Sequence, residues 1–132
     1  MMDAAIEAEI VKVLERFCAA FADRDGAAIM MTFGPEPDPE LVVVTSEQSL
    51  LRGPVELGRF LDRYVVGPTT YSWKWDRHQV CRAGAVAWLI AEGTETAVTD
   101  GREEQHSYRM TMVLQRRDDR WDLMQVHGSS PH

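Results

Sequence analysis

The chain has 132 residues, 45% of them hydrophobic and 27% charged, with 21 acidic against 14 basic side chains and a net charge of −7. That length fits one domain, residues 1–132, with enough buried surface for a core that needs no metal or disulfide staple. The acidic balance argues against a nucleic-acid partner, because phosphate binding needs concentrated positive charge, and the densest basic cluster, Arg116, Arg117 and Arg120, is interrupted by Asp118 and Asp119.

In chain order, the first segment predicts a helix. Ile6, Ile10, Val13, Leu14, Phe17 and Phe21 recur at steps of three and four, which stacks them on one helical face. Asp3 is placed to cap its N-terminus, with Glu7 in the first turn where the helix dipole favours an acid. Asp25-Gly26 breaks the pattern, and Ala27 to Phe33 adds two short helical turns. "GPEPDPE" follows. Three prolines at alternate positions suit neither a helix nor an interior strand, so this stretch reads as an extended, solvated loop.

Leu41 to Thr45 is a β-branched run that predicts a short strand, with a second through Leu50 and Leu51. "RGPVELGRFLDRYVVGP" predicts a helix: Pro54 suits its first position, Gly67-Pro68 ends it, and Leu57, Phe60, Leu61, Tyr64 and Val65 form its apolar face. The second half predicts four strands, Tyr71 to Cys81, Ala85 to Thr96, Ser107 to Gln115 and Trp121 to His127. Short polar turns at Arg82-Ala83-Gly84, Asp100-Gly101 and Asp118-Asp119 join them into an antiparallel meander. Helices followed by strands give an α+β layer arrangement, and long twisted strands bent over a helix leave a hollow of the kind that holds small ligands.

The two cysteines, Cys18 and Cys81, make neither a CxxC pair nor a disulfide framework. No apolar stretch approaches a membrane span and no signal-peptide pattern opens the chain, so the expectation is a cytoplasmic protein without a membrane partner. His78, His106, His127 and His132 show no metal-ligand spacing, and the glycines are scattered at turns rather than gathered in a phosphate loop, so neither a metal nor a cofactor is expected.

Three stretches carry a resemblance. "AGAVAWLIAEGT", "YRMTMVLQRRDDRW" and "WDLMQVHGSSP" resemble the SnoaL-like branch of the nuclear transport factor 2-like superfamily, also described as cystatin-like. The matching positions are Gly84, Ala87 and Trp88, then Arg109 and Thr111, then Trp121, His127, Ser129 and Pro131. The ending is also similar to the association domain of calcium/calmodulin-dependent kinases. The resemblance implies a cone-shaped α+β fold in which a strongly bent antiparallel sheet wraps over N-terminal helices. It further implies a homodimer packed through the sheet face and a cavity between sheet and helices. It implies no one chemistry, since the superfamily holds isomerases, cyclases, dehydratases and association modules. The pocket arginines of the kinase association domains fall at Glu92, Met112 and Gly128 of this chain, so an arginine pocket for carboxylates is not expected.

Within that frame the candidate catalytic residues are Glu92 and His127. Glu92 follows the apolar run Ala85 to Ala91 and shares a strand face with Trp88 and Ile90. A carboxylate in such surroundings has a raised pKa and serves as acid or base near neutrality. The alternative is that it pairs with Arg109 across the sheet. His127 is either a general base at the cavity mouth or a structural histidine that pins the last turn. Arg109 either anchors an anionic or oxyanionic group, a task Tyr108 shares, or neutralises an acid. Asp122, beside a turn, is expected to be solvated. The expected pocket comprises Tyr64, Trp88, Glu92, Tyr108, Arg109, Met110, Met112 and Met124, a wall suited to a small, largely apolar ligand. Cofactor-independent acid–base chemistry of isomerase or cyclase type on an apolar carbonyl compound is the leading reading. The other is a non-catalytic dimerisation, association or ligand-sensing module.

Overall fold

A computed structural model describes residues 3–130 of the chain; Pro131 and His132, the end of the last motif, lie outside the described residues. Helix α1 (Ala4–Ala22) is capped by Asp3, whose carboxylate accepts from the Ala5 amide at 2.8 Å. Ile10, Val13, Leu14, Phe17, Ala20 and Phe21 form its buried face, the spacing read from the sequence. Asp25 caps the short α2 (Gly26–Met31), which buries Ile29. After the proline-rich loop come β1 (Val42–Val44), β2 (Leu50–Arg52) and α3 (Gly53–Val66), the last burying Leu57, Leu61 and Tyr64. Glu56, one turn into α3, accepts from the Arg52 amide at 2.8 Å and so closes the helix start without a side chain at the cap position. The remaining chain is β3 (Thr69–Ala83), β4 (Val86–Thr99), β5 (Arg102–Arg117) and β6 (Arg120–Ser129).

The six strands form one sheet in the order β2-β1-β6-β5-β4-β3. All neighbours are antiparallel except β1 and β6, which run parallel with Val43 opposite Val126. The helices cover one face of this curled, unclosed sheet, with α1 against β3 and β6. β3, β4 and β5 are longer than the apolar runs that announced them, because polar residues such as Glu103 and Glu104 continue the ladder beyond the core. Backbone pairing there needs no buried side chain.

Two bulges bend the sheet. In β3 the register skips Asp76 between Trp75 and Arg77, and in β6 it skips Met124 between Leu123 and Gln125. Gly93 faces the first bulge. A β-carbon there would lie 2.0 Å from the Lys74 carbonyl oxygen, so only glycine lets the two backbones approach this closely. The inner face carries Ala87, Leu89 and Ala91 of β4 and Tyr108, Met110, Met112 and Leu114 of β5, all buried. Trp88 and Ile90 alternate with them and stand exposed on the outer face.

Asp122 departs from expectation: it is 2% exposed rather than solvated. Its Oδ1 accepts from Arg120 Nε at 2.9 Å, and its carboxylate fills the space beside Gly34, where a β-carbon would come within 2.4 Å of Oδ2. A turn three residues away says little about burial when the loop of another element folds over it.

Candidate functional site

Between the helices and the sheet lies a partly open cavity. Phe17 and Phe21 of α1, Leu57 and Phe60 of α3, and Trp73, Met110 and Val126 of the sheet make its walls almost wholly apolar. Its polar end is formed by Ser46 and Glu47, in the turn joining β1 to β2, with Tyr71 of β3 and Tyr108 of β5. The space inside is small, about 40 Å³, room for roughly three waters. No lysine or arginine stands on the wall among the described residues.

Behind the polar end sits a buried carboxylate. Trp73, Glu95 and His106 stand directly opposite one another on β3, β4 and β5, in one row on the inner face. Glu95 is 1% exposed and accepts from three side chains: Trp73 Nε1 at 2.8 Å and Ser46 Oγ at 2.6 Å on Oε2, and His106 Nε2 at 2.8 Å on Oε1. Three donors aimed at one carboxylate are what burying its charge requires. Tyr108 Oη lies 2.7 Å from Ser46 Oγ.

The proton inventory fixes directions here. Ser46 has one hydroxyl proton and gives it to Glu95, so Tyr108 must be the donor to Ser46. The chain therefore runs from Tyr108 through Ser46 to Glu95, with His106 and Trp73 donating to the same carboxylate. Burial raises the Tyr108 phenol above its ordinary range, opposed by the Ser46 bond and reinforced by the nearby Glu95 charge, so it stays a neutral donor. With Nε2 turned to Glu95, the other ring nitrogen of His106, Nδ1, is left on a side chain that is 40% exposed. A base held by a second group in this way is the arrangement that general-base catalysis requires.

Backbone placement explains the tight fit. Tyr108 lies over Gly128 of β6, where a β-carbon would sit 1.9 Å from its hydroxyl oxygen. Tyr64, on α3, donates to the Phe21 carbonyl at 2.8 Å and accepts from the Tyr71 amide at 2.9 Å, pinning the start of β3 to the end of α1. Burial raises its phenol as well. Tyr71 donates to Glu47 Oε1 at 3.2 Å, joining the β1–β2 turn to the far edge strand.

The structure distributes the residues singled out in the sequence over three regions. Tyr108 and Met110 stand on the cavity wall. Tyr64 is behind it, stacked on Phe60 and Tyr71, and Met112 is buried in the core. Trp88, Glu92, Arg109 and His127 are on the outer face, and Met124 occupies the β6 bulge beside Arg117. Glu92 is thereby removed from the cavity. It accepts from Arg77 Nε at 2.9 Å and Arg109 Nη2 at 3.1 Å, and these two guanidinium groups hold its carboxyl below the usual range rather than above it. His127 alternates with the buried Val126 and Gly128 and so projects away from the hollow. The sequence reading did not single out Ser46, Trp73 as a hydrogen-bond donor, Glu95 or His106, which the structure brings together. Their signal was parity: Glu95 is in step with Ala87, Leu89 and Ala91, and His106 with Tyr108 and Met110.

Comparison with known proteins agrees with this architecture. A family model described as a SnoaL-like domain matches residues 10–132, and the chain belongs to that family. Its fold is the nuclear transport factor 2-like, cystatin-like one. A protein provisionally named a dehydratase from the NTF2-like family of Streptomyces avermitilis superposes with a TM-score of 0.80 at 16% identity, covering 95% of this chain and 96% of that one. An NTF2-like protein with a cystatin-like fold from Novosphingobium aromaticivorans gives 0.72 at 11% identity, covering 94% and 80%. A provisionally named calcium/calmodulin-dependent protein kinase type II association domain from Thiobacillus denitrificans gives 0.70 at 19%, covering 91% and 93%. A search of curated proteins found no significant match. No helix among the described residues is long and apolar enough to cross a membrane.

Proposed function

We propose that this SnoaL-like protein binds a small, largely apolar carbonyl compound in the cavity and moves a proton on it without a cofactor, with His106 as the base and Glu95 as the carboxylate that orients it. The observation that carries this reading is the Trp73–Glu95–His106 row: a fully buried carboxylate, satisfied by three donors, that links the His106 imidazole to Trp73 and Ser46 on the cavity wall. Glu92 and His127 project from the outer face of the sheet, which favours the inner-row His106 in the proton-moving role. The structural likeness to a protein provisionally named a dehydratase is compatible with enzymatic use of the fold, though a fold shared at this identity does not carry the chemistry.

The test is a binding screen of small ketones and aldehydes, followed by turnover of whichever compound binds. His106→Gln should lower turnover at least ~100-fold, the usual worth of a general base, while leaving the compound bound. Unchanged turnover in that variant would refute the assignment.

A non-catalytic association role has its own support. The outer sheet face exposes Val86, Trp88, Ile90 and Val98, with Trp88 45% exposed, an apolar surface that suits a homodimer packed through the sheet. The likeness to an association domain points the same way. Trp88→Glu should convert a dimer to a monomer in sedimentation velocity; a wild-type chain that sediments as a monomer at micromolar concentration would dispose of this interface. The unpaired Cys18 and Cys81 suit a reducing, cytoplasmic setting.

A further inference from the structure

Most side-chain donors at the polar end of the cavity are already committed, the Thr45 hydroxyl, which accepts from the Ser49 amide, being the exception. Trp73 Nε1, Ser46 Oγ and His106 Nε2 point at Glu95, Tyr108 Oη points at Ser46, and Tyr71 Oη points at Glu47. What faces an incoming molecule is therefore mainly a set of lone pairs, on Tyr108 Oη, Ser46 Oγ and the Glu47 carboxylate. Two acidic side chains lie at or just behind this end, and no cationic one lies on the wall.

From this we infer that the cavity selects a neutral molecule carrying a hydroxyl donor, and rejects carboxylates and other anions. The inference rests on the reading of the cavity as a ligand site and narrows it: among carbonyl compounds, the preferred class is a hydroxy-ketone or phenolic ketone whose hydroxyl donates to Tyr108 Oη. An anion would meet the Glu95 and Glu47 carboxylates with no cationic side chain on the wall to compensate, at the cost of its own hydration. A ligand with acceptors alone would bury Tyr108 and Ser46 lone pairs against oxygens that repel them. An ammonium group fares worse than a hydroxyl because the Glu95 oxygens are occupied and its one anionic partner on the wall, Glu47, is exposed to water, where an ion pair contributes little against the cost of stripping the cation's hydration. Met110, unbranched and flexible, is the wall element able to yield to a ring larger than the resting space.

Four probes of similar size separate these cases: phenol, anisole, benzoate and benzylammonium, titrated at pH 7.5 into the 132-residue chain and followed by ligand-observed NMR and by tryptophan fluorescence. Phenol should bind about threefold to tenfold more tightly than anisole, the worth of one neutral hydrogen bond, and benzoate should not bind over the same range. Anisole or benzoate binding as tightly as phenol overturns the inference while leaving the cavity a ligand site. Benzylammonium binding more tightly than phenol overturns the choice of a neutral ligand. If none of the four binds, the reading of the cavity as a ligand site falls, and this inference with it. Ser46→Ala adds an independent arm: Tyr108 loses its acceptor, its proton turns to the ligand, and acetophenone should gain about threefold or more in affinity. Tyr108→Phe should bring phenol down to the level of anisole. Acetophenone unchanged by Ser46→Ala, or phenol unchanged by Tyr108→Phe in a variant whose circular dichroism is native, overturns the donor chain.

Discussion

Replacing Gly128 by alanine tests the packing beneath the site. Gly128 is not among the glycines with positive φ, so alanine there meets no backbone strain. Its methyl would lie 1.9 Å from Tyr108 Oη and 2.6 Å from Cζ, where non-bonded carbon contacts settle near roughly 3.5–4.0 Å. The phenol must therefore swing aside by more than an ångström, and the 2.7 Å bond to Ser46 breaks with it. Overpacking of this kind costs about 1–3 kcal/mol and the lost hydrogen bond about 0.5–1.5 kcal/mol, so the expected destabilisation is about 2–4 kcal/mol. At a few degrees per kcal/mol for a chain of this size, the melting temperature should fall by about 5–15 °C in differential scanning calorimetry. The decisive control is the double-mutant cycle with Tyr108→Ala. In that background the new methyl meets vacated space, and Gly128→Ala should cost less than about 0.5 kcal/mol. Equal costs in both backgrounds would refute the contact between Tyr108 and Gly128, and with it the hydroxyl placement on which the donor chain depends.

Further consequences are open to direct measurement. Glu95→Gln puts an amide NH₂ opposite His106 and should flip that ring from Nε2–H to Nδ1–H, read from imidazole ¹⁵N shifts; an unchanged tautomer would mean that Glu95 does not set it. Gly93→Ala brings a β-carbon against backbone at the β3 bulge, which cannot yield as a side chain does, and should cost more than about 3 kcal/mol in urea denaturation. Burial pushes the Cys18 thiol up to about 12, against a Trp75 bond acting the other way. Because the folded state favours the protonated thiol, this contribution is intact below about pH 9 and is lost as pH rises from there toward about 12, at about 1.4 kcal/mol per pH unit. Urea midpoints at pH 8, 9 and 10 should fall less steeply for Cys18→Ala than for the wild type. Glu92→Gln should leave both folding midpoint and ligand binding unchanged, since its ion pairs with Arg77 and Arg109 are exposed; lost binding would return it to the site.

Much of the fold was legible because local patterning and burial agree. The α1 stripe from Ile10 to Phe21, the Pro54 start and Gly67 stop of α3, and the turns at Asp100-Gly101 and Asp118-Asp119 each follow from side-chain periodicity or backbone restriction within a few residues. The parallel pairing of β1 with β6 was not legible, because it joins residues some 80 positions apart through contacts that leave no local pattern.

The sequence by itself determined which residues of β4 and β5 share a face: Trp88, Ile90 and Glu92 on one, Ala87, Leu89, Ala91 and Glu95 on the other. It did not determine which face meets the helices, since strand alternation sets parity and not sign, and both faces of β4 carry apolar side chains. Only the tertiary structure made that choice, by packing α1 against β3 and β6 on the face that buries Leu89 and Ala91. The same choice turned Glu92, Arg109 and His127 outward and brought Glu95, His106, Tyr108 and Ser46 together. Ser46 lies 49 residues from Glu95 and 62 from Tyr108, so their hydrogen bonds exist only once the sheet has curled enough to carry the β1–β2 turn over the hollow.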